Sequence, residues 1–105
     1  MLTFAVNGRS YEVDEEGFLQ EPELWTEEVA RDFATTENIA ELNDDHWKLI
    51  NFVRWYFVQY GVAPMVRKVC KETGFDLPTI YSMFPSGPAK GVCKVAGLPK
   101  PTGCV

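Results

Sequence analysis

Apolar and polar positions alternate along residues 2–13 around Asn7-Gly8, a dipeptide that tolerates positive φ at both central positions of a tight turn. The pattern predicts a β-hairpin. Asp14, Glu15, Glu16 and Gly17 predict a second turn, with Phe18 and Leu19 as a short third strand. From Trp25 the period changes. Trp25, Val29, Ala30 and Phe33 recur at helical spacing behind Thr26 as N-cap, with Glu27 and Glu28 suited to the positive end of a helix dipole, so a helix is expected near 27–35. Asn43 caps a longer helix, in which apolar residues from Trp47 to Tyr60 wrap most of the circumference before Gly61 stops it. That helix is predicted to be the axis of the core. Pro64 and Gly74 bracket another helix, with Met65, Val66, Val69 and Cys70 on one face and Arg67, Lys68, Lys71 and Glu72 elsewhere. A last short helix is expected over 78–84, ending at Pro85.

Beyond Pro85 the composition shifts: residues 85–105 hold four prolines, four glycines and no acidic side chain. This density of breakers disfavours helix or central strand and predicts an extended, mobile arm over 85–105, stiff at Leu98-Pro99-Lys100-Pro101 and jointed at Gly91, Gly97 and Gly103. At ~3.3 Å per residue such an arm would reach roughly 60 Å.

A chain of 105 residues with 46% hydrophobic and 13% aromatic content has material for one domain with its own core, here residues 1–105. Residues 1–46 carry thirteen acidic and two basic side chains, and 47–105 carry two acidic and eight basic. The basic half offers a face to an anionic partner, or the two halves are solvated surfaces of opposite sign. The first residues show no basic stretch leading into an apolar one, and the most apolar run is interrupted by Lys48, Asn51, Arg54 and Gln59, which predicts a cytoplasmic protein.

In that reducing compartment a functional cysteine is catalytic or metal-bound more often than bridged. Cys70 sits on an apolar helix face and reads as a buried, inert thiol. Cys93 and Cys104 share the arm, and Cys104 stands one residue from the end with little steric cover. A bridge between them requires Cα atoms roughly 5.5 Å apart, which Gly97 and Gly103 allow by folding the arm back. Closing that loop costs roughly 3 kcal/mol, or about 60 mV for a two-electron couple, so the bridge would be labile. Spacing alone leaves open that both are incidental. Zinc ligation by Cys70, Cys93, Cys104 and His46 lacks the short paired spacings of structural zinc sites, and His46 reads as a first-turn polar residue. Neither a Ser/His/Asp set nor a Gly-rich phosphate loop can be assembled, which argues against a self-standing enzyme.

The ending Leu98-Pro99-Lys100-Pro101-Thr102-Gly103-Cys104-Val105 closely resembles the DsrC/TusE family. The likeness continues upstream in Tyr11-x-Val13-Asp14-x-x-Gly17-Phe18-Leu19, in Asp45-His46-Trp47-Lys48-Leu49-Ile50 and in Ala63-Pro64-Met65-Val66-Arg67, and so covers essentially the whole chain. It implies a predominantly helical α+β fold, with a small N-terminal β-meander on a helical array, a helix-turn-helix-like pair and a flexible C-terminal arm. It also implies roles. Cys104 corresponds to the penultimate cysteine that receives sulfur, and Cys93 to a second cysteine present in DsrC members and missing from TusE-type relay members. The direct run from Thr73 to Leu77, without an insertion, favours the sulfite-reducing branch.

The implied mechanism is a protein co-substrate cycle with the catalytic subunits of dissimilatory sulfite reductase. Cys104 captures a partly reduced sulfur, Cys93 closes on it as a trisulfide, and a membrane-bound thiol/disulfide (trisulfide) reductase complex restores both thiols. Sirohaem and iron–sulfur clusters belong to the partner, and no cofactor is assigned to this chain. Lys90, Lys94 and Lys100, unaccompanied by acidic residues on the arm, are the expected partner-binding cations. Two alternatives stay open: a sulfur relay toward tRNA thiolation that uses Cys104 with other relay proteins, and DNA binding through the helix pair bearing Arg67, Lys68 and Lys71.

Overall fold

The computed structural model describes residues 2–6 and 8–99. Strand β1 (Leu2–Val6) pairs antiparallel with β2 (Arg9–Val13), in a register running from Leu2 opposite Val13 to Val6 opposite Arg9. This leaves a two-residue loop, and Gly8 takes a left-handed φ of 78°. The second turn is organised by Asp14, whose carboxylate accepts the Glu16 and Phe18 N–H groups. The third strand shrinks to a single bridge from Leu19 to Val13, because the chain turns at once into a 3₁₀ turn at Pro22–Leu24.

Five α-helices follow among the described residues. Helix α1 (Glu27–Thr36) starts where Thr26 Oγ1 accepts the Val29 N–H, and α2 (Asp44–Tyr60) runs from the Asn43 cap to Gly61 at φ 74°. Helix α3 (Val66–Thr73) begins two residues after Pro64, with Met65 as its N-cap. Helix α4 (Leu77–Met83) is capped by Asp76, which accepts the Thr79 N–H at 3.0 Å. The α+β, predominantly helical reading of the sequence therefore holds.

The arm expected from Pro85 onward must be corrected over most of its length. Gly87–Val95 is helix α5, and Val92, Val95, Ala96 and Leu98 are all at most 1% exposed. The breakers sit where a helix accepts them. Pro88 lies in the first turn, where a missing N–H leaves no bond unmade. At the other end Leu98 N–H bonds to the Cys93 carbonyl and Gly97 N–H to that of Lys94, with Gly97 at φ 72°, which is a Schellman stop. The rest of the expected arm, residues 100–105, lies outside the described residues.

The centre of the molecule shifts accordingly. Helix α5 packs against each of α1, α2, α3 and α4, so it is the axis that α2 was expected to be. Helix α2 buries His46, Leu49, Ile50 and Val53 before Arg54, while Trp55, Val58 and Tyr60 beyond it are more than half exposed. The hairpin closes a separate small cluster: Tyr11, Val13, Leu19, Val29 and Phe33 are buried together, and Phe4 stacks on Phe33 at 5.1 Å. It is fastened to α1 by Asp32, whose carboxylate accepts both Arg9 Nε and Nη2 and the Tyr11 hydroxyl at 2.8–3.1 Å.

Candidate functional site

Cys93 lies in the last turn of α5, two residues before its end, and is 2% exposed within the main core. Burial disfavours its thiolate and pushes the thiol pKa up to about 12. Cys70, expected to point inward, is partly buried against the same core and carries a free thiol. Cys104, the expected sulfur acceptor, and Lys100 lie outside the described residues.

The backbone that leads from Cys93 toward Cys104 is held by two side chains that the sequence reading did not single out. Val95 is the last residue of α5, so its carbonyl is one of the helix-end acceptors without an intrahelical partner. Trp25 Nε1 donates to it instead at 3.0 Å, and Arg54 Nη1 donates to the neighbouring Ala96 carbonyl at 2.7 Å. The guanidinium also lies over the Trp25 ring at 4.1 Å, a cation–π contact that joins the two donors. Desolvation lowers the Arg54 pKa. The only sequence signals were a cation inside an apolar helical run and a tryptophan just ahead of a helix cap.

Lys90 and Lys94 are not the free cations that an acid-free arm suggests. Lys94 pairs with Glu37 at 3.1 Å, with side chains 18% and 6% exposed, and its ammonium faces the Phe18 ring. Lys90 reaches Glu16 at 3.7 Å on the surface. The missing acids come from the N-terminal half, brought over by folding. Lys94 is thus fastened inside the domain and would expose a buried carboxylate if it left to meet a partner, while Lys90 stays accessible. His46 is in the first turn of α2, as expected, and is buried there: it is 6% exposed, its Nδ1 accepts the Asn43 N–H, and its Nε2 donates to the Met83 carbonyl. Both ring nitrogens are committed to joining the start of α2 to the end of α4. Among the described residues no group of three or more His, Cys, Asp or Glu is placed to hold a metal, and no helix is long and apolar enough to cross a membrane. On the α3–α4 pair, Lys68 is matched by Glu72 at 3.8 Å.

Residues 5–105 match the model of the DsrC-like protein family. The chain is 49% identical, over the whole of both chains, to the dissimilatory-type sulfite reductase gamma subunit of Nitratidesulfovibrio vulgaris. It is 37% identical, again over the whole of both, to the sulfurtransferase TusE of Escherichia coli K12. Among solved structures, a chain in the crystal structure of dissimilatory sulfite reductase I superposes with a TM-score of 0.90 at 48% identity, covering 99% of this chain and 100% of that one. The oxidised gamma subunit (DsrC) from Archaeoglobus fulgidus gives 0.86 at 47% identity, with the same coverage. Family model, end-to-end identity and superposition agree with the fold and with the terminal motif: this chain belongs to the DsrC-like protein family.

Proposed function

We propose that the chain is a sulfur-carrying co-substrate of dissimilatory sulfite reductase, taking a partly reduced sulfur on Cys104 and closing it onto Cys93 as a trisulfide. Reduction of that trisulfide by a membrane-bound thiol/trisulfide reductase would return two thiols and one sulfide. The observation that carries the reading is the end-to-end 49% identity to a sulfite reductase gamma subunit, in a chain holding a cysteine on its last helix and a second at its penultimate position. Burial supports the part given to Cys93: a thiol held in the core is kept from other oxidants until it is needed. Sirohaem and iron–sulfur clusters would be the partner's.

Single-turnover incubation of each variant with sulfite reductase, sulfite and an electron donor, followed by intact-mass measurement, tests the roles. Cys104→Ser should take up no sulfur. Cys93→Ser should load Cys104 and stop before the trisulfide, and Cys70→Ser should behave as the parent. Normal loading of Cys104→Ser would overturn the assignment. The full-length likeness to TusE supports a second reading, a relay that passes a persulfide on from Cys104 alone. Under it, Cys93→Ser would transfer sulfur to an acceptor as fast as the parent does.

A further inference from the structure

A resolving thiol that is 2% exposed poses a mechanical problem, because an incoming sulfur must line up with Cys93 Sγ and nothing outside the core can do so while α5 is closed. Cys93 sits in the last turn and a half of α5, and the path to exposing it is to open that turn. Its own carbonyl accepts the Leu98 N–H and that of Lys94 accepts the Gly97 N–H, and the next two carbonyls, of Val95 and Ala96, are the ones taken by Trp25 and Arg54. These donors come from different elements: Trp25 precedes α1 and Arg54 belongs to α2. Gly97 completes the fit. A Cβ there would stand 2.3 Å from Trp25 Cδ1, so the indole is seated directly against the turn that ends the helix.

We propose that Trp25 and Arg54 form a latch across the C-terminal turn of α5 that keeps Cys93 inside the core, and that release of this latch is the step exposing the Cys93 thiol to an attacking sulfur. The functional weight of the inference rests on Cys93 being the resolving thiol. The latch itself is a statement about access and can be read without any sulfur chemistry. Trp25 and Arg54 are positioning residues in this scheme, since neither touches the reacting sulfur.

The geometry suits a latch better than a permanent staple. Both bonds run from side chains to carbonyls at a helix end, where water can take over the acceptors once the turn opens. The guanidinium is half-buried, so it can follow the opening into solvent without leaving a charge stranded in the core. The cation–π contact couples the two donors, so loss of one weakens the other.

The test uses the full chain with Cys70→Ser and Cys104→Ser, leaving Cys93 as the single thiol, and follows its reaction with an aromatic disulfide reagent by the absorbance of the released thiolate. Arg54→Gln and Trp25→Phe should each raise the labelling rate on the order of tenfold, the factor for losing one hydrogen bond that holds the closed state. Arg54→Lys, which keeps a charged donor but not the planar stack, should fall between. Gly97→Ala, which displaces the indole, should accelerate labelling with both latch side chains intact, and it serves if Arg54→Gln does not fold. Amide hydrogen exchange separates a latch from a general loss of stability: the Leu98 amide should exchange faster in the variants while the Val53 amide in α2 does not. Unchanged labelling in Trp25→Phe and Arg54→Gln, or equal acceleration at Leu98 and Val53, would overturn the latch. Accelerated labelling together with no sulfur loading of the parent would leave the latch standing and remove the sulfur-carrier reading instead.

Discussion

At Cys93, burial has a consequence for stability that can be read with pH. An unfolded thiol ionises near ~8.5, whereas the core pushes this one up to about 12. The folded value is the raised one, so the contribution is fully present below the unfolded pKa and is lost as pH climbs from there toward the folded pKa. Unfolding free energy measured by urea titration should therefore decline across that alkaline interval, and the decline should be shallower in Cys93→Ala. Tyr11 is also raised, mainly by burial and then by its bond to Asp32, and titrates in the same direction. Because it is present in both proteins, the difference between the two curves isolates Cys93. Parallel curves would show that the thiol is not desolvated in the folded protein.

Among the elements, those whose signals are local were legible in the sequence and α5 was not. Thr26, Asn43 and Gly61 act on amides or dihedrals within a few residues, so α1 and α2 came out with nearly the observed bounds. For α5 the count of prolines and glycines misled, since what matters is their place: Pro88 in the first turn, Gly97 in the Schellman position, and apolar Ala89, Val92, Val95 and Ala96 at helical spacing between them. Of the site, the cysteines and the terminal motif could be read directly. Glu37, Trp25 and Arg54 could not, because their contacts join segments 42–70 residues apart. Gly91 is the one breaker in the interior of α5, and it yields a prediction in which two effects compete. Alanine there gains roughly 1 kcal/mol of helix propensity. Its Cβ would meet Phe84 Cβ at 3.1 Å, however, and Phe84 is fully buried, with that atom one bond from its backbone and unable to swing aside. Overpacking of this kind costs about 1–3 kcal/mol, so Gly91→Ala should lower the unfolding midpoint on denaturant titration. A raised midpoint would mean that the α4–α5 contact yields more easily than its burial indicates.

For the whole molecule, the central place of α5 changes what removal of the C-terminal segment should do. An arm hanging from Pro85 could be deleted without harm to the body, but α5 is the element on which four other helices pack. Val92, Val95 and Leu98 are essentially inaccessible, and each fully buried aliphatic side chain contributes about 1.5–3 kcal/mol. Those three alone approach the 5–15 kcal/mol of net stability typical of a domain, before the exposed faces of the facing helices are counted. Deleting residues 86–105 should therefore leave a chain without a cooperative thermal transition. Deleting only 100–105 removes Lys100 and Cys104 and none of these buried side chains, and that variant should melt as the parent does. Only the shorter deletion can then be used to ask whether the last six residues bind the partner. If they do, it should lose affinity for sulfite reductase in a titration while its circular dichroism spectrum stays unchanged. A folded 86–105 deletion would contradict the core described here, and undiminished affinity of the 100–105 deletion would place the partner interface on the globular body, where Lys90 remains exposed.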